Sequence, residues 1–394
     1  MNEELRKALC FFTRETGIMA GASAACGAGD RAETARDGAA AGENTIYDLA
    51  SATKLFTGLA AMRLKEEGLL DIRRPVSFYE PRFTRLGETT VAELLTFQKT
   101  IQTEGRIDAC PDREEALRRL FSAADAGRPE KRAYSDIPAM VLKYVIEAAA
   151  GTTLYGCVRE TILAPAGMEE TWAKVPEDRI SDCESYDREY RIEKERRYVR
   201  TGLQKGVPHD PKAAILQGDS GDLSGHAGLF STLGDMVRFC RAVIAGRIVS
   251  AESLREMAEN RTGRRLADGS WSQFLGWQCY LRHPDQYYSE IPAYMGMRAF
   301  GIGGFTGNHV SIDPERGIFA VMLGNRVRGR LTVLIPEAGK GLTDYGLEED
   351  GRGAFRWEDG TVVPSSVQYV HQKDEHLHRA IARILGLEEV PFQF

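Results

Sequence analysis

Strand-like runs stand near both ends of this chain, and helix-like runs fill the stretch between. Residues 17–28, GIMAGASAACGA, are small and apolar, like a buried strand. Further β-type runs lie towards the other end: FLGWQCYLR at 274–282, HVSIDP at 309–314 and GIFAVMLGNRV at 317–327. One sheet assembled from both ends, with the helical middle emerging as an insertion, satisfies that order. The spacing predicts a discontinuous sheet domain of residues 1–75 and 221–394 around an inserted helical domain at 76–220.

Between these runs the pattern is helical. Residues 2–16 read as a helix and 30–44 as a hairpin or loop. A helix is predicted over about 51–67, where Leu55, Leu59 and Met62 form one apolar stripe and Gly68 is a C-cap. Further helices are predicted at 88–97, 113–123 and 136–150, the last ending at Gly151. Residues 181–205 carry many charges and tyrosines and read as an exposed excursion.

Bulk properties exclude several classes. Of 394 residues, 43% are apolar and 27% charged, the balance of a globular protein. A net charge of -6 argues against a nucleic-acid partner. No apolar run reaches the roughly 18 residues of a membrane span. The start, MNEELRKALCFFTRETG, lacks the pattern of a signal peptide, so a cytoplasmic protein is expected if Met1 is the native start. The seven cysteines (10, 26, 110, 157, 183, 240, 279) are scattered without a CxxC pair, which fits reduced thiols. His371, His376 and His378 in HQKDEHLH read as a solvated C-terminal helix, not a metal site. GIGGFTG at 301–307 fails the dinucleotide fingerprint. No metal or cofactor is expected.

The chemistry concentrates elsewhere. In YDLASATK, Ser51 and Lys54 are three residues apart, so on a helix they share a face. A serine hydroxyl needs a base to become a nucleophile, and a neighbouring lysine serves if burial and a nearby cation or tyrosine lower its pKa. A helix start also offers free N–H groups to developing negative charge. Alone, S-x-x-K arises by chance about once in a chain of this length. Downstream, RAYSD places Tyr134 and Asp136 just before a helix, and SGHAGLFSTLGDMVRF and GIGGFTGNHVSIDPERGIFAVMLGNRV follow.

With these four segments, in this order over residues 17–327, the chain resembles the serine β-lactamase and penicillin-binding protein superfamily, in its class C-like branch of esterases and D-peptidases. The resemblance implies a β-lactamase/transpeptidase-like α+β fold: an antiparallel sheet flanked by helices, with an inserted all-α domain and the motifs meeting in a cleft. It implies Ser51 as acylated nucleophile, Lys54 as its base and Tyr134 as the phenol that shuttles a proton to the leaving group. Asp136 would hold the lysine and contact the substrate amide. Phe305 would supply an oxyanion N–H, with Gly303 and Gly304 beside the substrate.

The chain also departs from the pattern. Ile302, Gly303 and Gly304 stand where the branch has His/Lys-Thr-Gly, so the usual cation and hydroxyl are missing. Where the branch commonly reads L-L-T-H-T-S-G, this chain has Phe97, Gln98 and Lys99 after Thr96. The branch's NRVHP is split, with NRV at 325–327 and YVH at 369–371, and residues 328–369 read as an inserted loop or hairpin. The expected function is serine hydrolysis of small esters, amides or peptides. The alternatives are a binding protein that lost efficient catalysis and a true β-lactamase.

Overall fold

The computed structural model describes residues 1–38, 41–218, 221–284, 290–347 and 353–389. Residues 21–28 form an interior strand of a six-stranded sheet, and their small size suits that place. The sheet runs Tyr280–Leu281, Phe300–Gly304, Asn308–Asp313, Ile318–Gly324, Gly21–Ala28, Arg31–Gly38, with every neighbour antiparallel. Both faces are covered. Ala22, Ala24 and Cys26 join Ala320 and Met322 in a core shared with Leu5 and Leu9 of the N-terminal helix and Leu377 and Ile381 near the C-terminus. Ala25, Phe319, Val321 and Leu323 alternate to the other face. A Cβ on Gly27 would lie 2.4 Å from the Phe319 ring.

The helix Thr53–Glu66 sits under that second face. All but Arg63, Lys65 and Glu66 are buried, so the expected single apolar stripe is too narrow a description. The helix is packed on every side, and at Gly58 the backbone of Trp277 comes so near that a Cβ would lie 2.8 Å from its carbonyl oxygen. Gly68 follows the helix at φ +71° and Gly151 ends Ile137–Ala150 at φ +68°, the left-handed caps that glycine permits.

The segment 76–220 is not all-α. It carries the helices Val91–Leu95, Arg113–Phe121, Ile137–Ala150 and Pro211–Gln217, but also a hairpin of Arg188–Glu193 with Arg196–Thr201. This hairpin is the charged excursion predicted at 181–205. Its first strand pairs in parallel with Arg330–Ile335. A second hairpin, Ala354–Arg356 with Val362–Pro364, completes a small unit with its own core of Tyr190, Ile192, Leu331, Phe355, Trp357 and Val363. The 328–369 insertion and the excursion are therefore one structure, although 348–352 lie outside the described residues.

The C-terminal helical segment is not solvated either. Lys373 is fully buried, His378 is buried, and His376 stacks on Phe11 at 3.5 Å between ring centroids. The segment lies across the sheet, so its charged letters point partly inwards. No single helix among the described residues is long and apolar enough to cross a membrane.

The GHAG stretch shows how close the two parts approach. Gly225 has φ +88°, and a Cβ there would lie 2.2 Å from the carbonyl oxygen of Ala139 in the helix Ile137–Ala150. Gly225→Ala should therefore cost about 2 kcal/mol or more from overpacking and left-handed strain. Thermal unfolding should show a fall in Tm of at least about 2 °C for a chain of this size; an unchanged Tm would refute the close packing.

Candidate active site

Ser51 sits in a tight turn, Ala50–Ala52, that leads straight into the helix Thr53–Glu66. Ala50 is held at φ +46°, a strained value for a residue with a Cβ. Asp48 supports the strain. One of its carboxylate oxygens accepts from the Ala50 N–H at 2.8 Å, and the other accepts from the His209 N–H at 2.7 Å. The Asp48 carbonyl accepts from Thr306 Oγ1 at 2.8 Å and Asn308 Nδ2 at 2.6 Å. The nucleophile turn is thus bonded to the loop that carries Phe305.

One turn into the helix, Lys54 is fully buried. Its Nζ donates to Asp136 Oδ1 at 2.7 Å, to Ser51 Oγ at 3.3 Å and to the His226 carbonyl at 3.4 Å. Tyr134 completes the group. Lys54 Nζ lies 4.8 Å from its ring centroid, and the nearness of Lys54 and Ser51 pulls its phenol down against the effect of burial. Ser51, Tyr134 and Asp136 are thus brought together around Lys54. The ring is held between Tyr280, stacked at 5.1 Å, and Phe97 at 5.6 Å. Gln273 Oε1 accepts from the N–H groups of Ala133 and Tyr134, each at 2.9 Å.

The electrostatics differ from the expectation that Lys54 is depressed. Burial does push its ammonium down, but Asp136 and Tyr134 outweigh it, and Lys54 ends above the ordinary lysine value. Burial pushes the Asp136 carboxyl up, yet Lys54, His226 and Lys212 hold it below the usual range. Burial raises the Tyr134 phenol, so it stays protonated near neutrality.

Two residues of this network, Lys212 and Asp210, had no motif signal of their own, and a third, His226, lies in GHAG. Lys212 Nζ bridges Asp136 at 3.2 Å and Asp210 at 3.1 Å, and Asp210 reaches His226 Nε2 at 3.1 Å. The usable clues were an Asp-Pro helix start at 210–211, where Asp210 is the N-cap, and the histidine of GHAG. Ligand atoms of Asp136, Asp210 and His226 lie within 4.8 Å of one another. Lys54 and Lys212 already supply the positive charge those carboxylates need, so the donor set fits an ion-pair network better than a metal.

The third motif is split between two faces. Ile302 is fully buried in the core under the sheet. Gly304 approaches the nucleophile turn, where a Cβ would lie 2.6 Å from the Leu49 carbonyl oxygen. A Cβ at Gly303 would lie 3.0 Å from Glu290 Oε2 and 3.6 Å from the Tyr369 hydroxyl. Among the described residues, neither the Ser51 nor the Phe305 N–H donates to a backbone carbonyl. Phe97 has φ +55° and packs on Tyr134, Gln98 bonds Thr96, and Lys99 pairs with Asp125 at 2.6 Å. Beyond Tyr280 opens a cavity of about 540 Å³, lined by Trp271, Phe274, Tyr280 and Leu281 with Lys131 and Arg265 among its charged groups.

Known proteins share this architecture. The chain is 28% identical over 313 residues to "Putative D-alanyl-D-alanine carboxypeptidase" of Salmonella typhi, covering 72% of this chain and 70% of that protein. The protein of the same name from Salmonella gallinarum is 26% identical over 314 residues, with the same coverage. Among solved structures, EstCE1, a hydrolase with promiscuous acyltransferase activity, matches with a TM-score of 0.64 at 20% identity, covering 82% of this chain and 94% of that one. An octameric penicillin-binding protein homologue from Pyrococcus abyssi matches with a TM-score of 0.61 at 22% identity, covering 82% and 72%. The model of the Beta-lactamase family matches residues 13–337, which take in the nucleophile turn, the Tyr134 segment and the altered third strand, and the chain belongs to that family.

Proposed function

We propose that this protein is a serine hydrolase that cleaves small esters or amides through an acyl-enzyme on Ser51. The observation that carries the reading is Lys54 Nζ placed 3.3 Å from Ser51 Oγ and 4.8 Å from the Tyr134 ring centroid. Ser51 Oγ attacks the carbonyl carbon, and its proton enters the Tyr134–Lys54 relay. The relay returns a proton to the leaving group as its bond to the carbonyl carbon breaks. Water then cleaves the acyl-enzyme, and Ser51 recovers its proton by the same route. The N–H groups of Ser51 and Phe305 receive the oxyanion.

Neutral esters suit the site better than β-lactams. Ile302 and Gly303 offer neither the cation nor the hydroxyl that would anchor a substrate carboxylate. The aromatic cavity beyond Tyr280 has the size of a small-molecule pocket and suits an apolar substituent. The names of the relatives keep D-alanyl peptides as the amide class to compare. One observation favours a binding protein instead: Lys54 is held in its charged, non-basic form.

A fluorophosphonate should add a single mass increment to the wild type and none to Ser51→Ala; an unlabelled wild type would favour the binding protein. With p-nitrophenyl acetate, Lys54→Ala should lose about a hundred- to ten-thousand-fold in turnover. Full turnover in that variant would place any hydrolysis at another site. Catalytic efficiency on p-nitrophenyl acetate should exceed that on nitrocefin, and the reverse order would mark a β-lactamase.

The ion pair also sets a pH dependence. The neutral amine of Lys54 is the base, so turnover rises as pH passes through its pKa, and Asp136 holds that pKa up. Asp136→Asn removes the carboxylate and lowers the Lys54 pKa. The acid limb of the pH–rate profile should move to lower pH; a limb that stays put or moves up would remove Lys54 from the base role.

A further inference from the structure

We infer that Tyr369 and Arg326 are positioning residues that hold and polarise the Gly304–Phe305 peptide for oxyanion binding, replacing side chains lost from the third motif. The inference rests on the acyl-enzyme reading above. The oxyanion donor on this strand is the Phe305 N–H, and it shares one amide plane with the Gly304 carbonyl. The Tyr369 hydroxyl donates to that carbonyl oxygen at 3.3 Å. In a trans peptide the C=O and N–H point in opposite directions, so a donor on the carbonyl fixes the direction of the N–H. It also draws electrons towards the oxygen and makes the N–H a stronger donor, as in any hydrogen-bonded chain.

The next carbonyl is held as well. Arg326 Nε donates to the Phe305 oxygen at 2.7 Å, and its Nη1 donates to the Ser366 oxygen at 2.9 Å. The guanidinium lies between two rings, 4.5 Å from the Phe305 centroid and 4.6 Å from that of Tyr369. Phe305 stacks on His209 at 5.4 Å, and the His209 N–H is bonded to Asp48 under the nucleophile turn. Both peptides flanking Phe305 are thus clamped from one side, and its ring is tied to the other half of the oxyanion site.

The placement accounts for two oddities together. The Tyr369 hydroxyl lies 3.6 Å from where a Cβ on Gly303 would be, so with Glu290 Oε2 at 3.0 Å it borders the space of the missing third-motif side chain. Arg326 belongs to NRV and Tyr369 to YVH, the two halves of the split motif. The intervening chain folds away into its own unit, and the halves meet by the stack of Arg326 on Tyr369. Burial keeps the Tyr369 phenol protonated, as a donor must be.

Tyr369→Phe keeps the ring and deletes the donor. It should lower kcat on p-nitrophenyl acetate by about 3- to 30-fold, less than the loss of an oxyanion donor itself, with KM within twofold. A boronic acid, which forms a tetrahedral adduct on the serine, should lose affinity by the same factor. Replacing Tyr369 by 3-fluorotyrosine, a stronger donor, should tighten boronate binding. Unchanged kcat and boronate affinity in both variants would overturn the inference, as would a loss confined to KM. If Tyr369→Phe does not fold, the 3-fluorotyrosine protein decides alone. A wild type that labels with fluorophosphonate but shows no effect at Tyr369 defeats only this inference; one that does not label defeats the acyl-enzyme reading.

Discussion

The Lys54–Asp136 ion pair is the interaction on which the cleft depends. Lys54 belongs to the helix behind the nucleophile and Asp136 to the inserted region, so the pair closes one side of the site across the junction between the two parts. A fully buried ammonium is tolerated only with a partner of this quality, and removal of either partner from such a pair typically costs about 3–5 kcal/mol. The network continues through Lys212 and Asp210, with ammonium and carboxylate alternating, and ends on His226. Alternation lets several ionised groups share a small volume, since each carboxylate has an ammonium beside it. The same pairing sets the chemistry. It holds the lysine charged in the resting state, so the proton inventory of the site is set jointly by Lys54, Asp136 and Tyr134.

A second constraint acts on the backbone. Ser51 is preceded by Ala50 in a left-handed conformation, and such strain persists only where neighbours over-determine it. Asp48 does this with its carboxylate on the Ala50 N–H and its carbonyl on Thr306 and Asn308. The strain aims Ser51 and the bonds to 306 and 308 register it against Phe305. The Ser51 turn and the loop that carries Phe305 are therefore both held by one aspartate between them.

Much of this was legible in the sequence, for identifiable reasons. The small-residue strand at 21–28 and the helices ending at Gly68 and Gly151 carry local signals: residue size, period and caps. Ser51, Lys54, Tyr134 and Asp136 carry motif spacing. What escaped depends on distant pairing. The strand Arg330–Ile335 joins Arg188–Glu193 across more than a hundred residues, and no local pattern announces a parallel partner. Charges on the 188–201 hairpin hid the apolar side formed by Tyr190 and Ile192. Lys373 and His378 looked solvated because charge alone suggests exposure, yet Lys373 is buried beside His309 and Glu290, and His378 is buried against His309. Lys212 and Asp210 are ordinary residues at a helix start until the fold brings Asp136 to them.

The altered third motif is best understood from charge at its rim. A hydroxyl and a cation at positions 303 and 302 would face a substrate carboxylate with donors. Here Ile302 turns into the core, and the group nearest Gly303 is the carboxylate of Glu290. Glu290 is paired with Lys373 at 3.5 Å, and that ammonium is fully buried, so it cannot come forward to meet a substrate. Towards this rim the site therefore presents an acceptor whose charge is compensated from behind. A substrate carboxylate brought here would meet like charge across a partly buried gap, which costs more than it would in water. A neutral group, or one with an N–H or O–H to donate, would not. On the proposed acyl-enzyme reading, the departure at 302 and 303 changes which substrates are admitted, while the proposed backbone donor at Phe305, which needs no particular side chain, sits in a peptide bonded from the C-terminal segment.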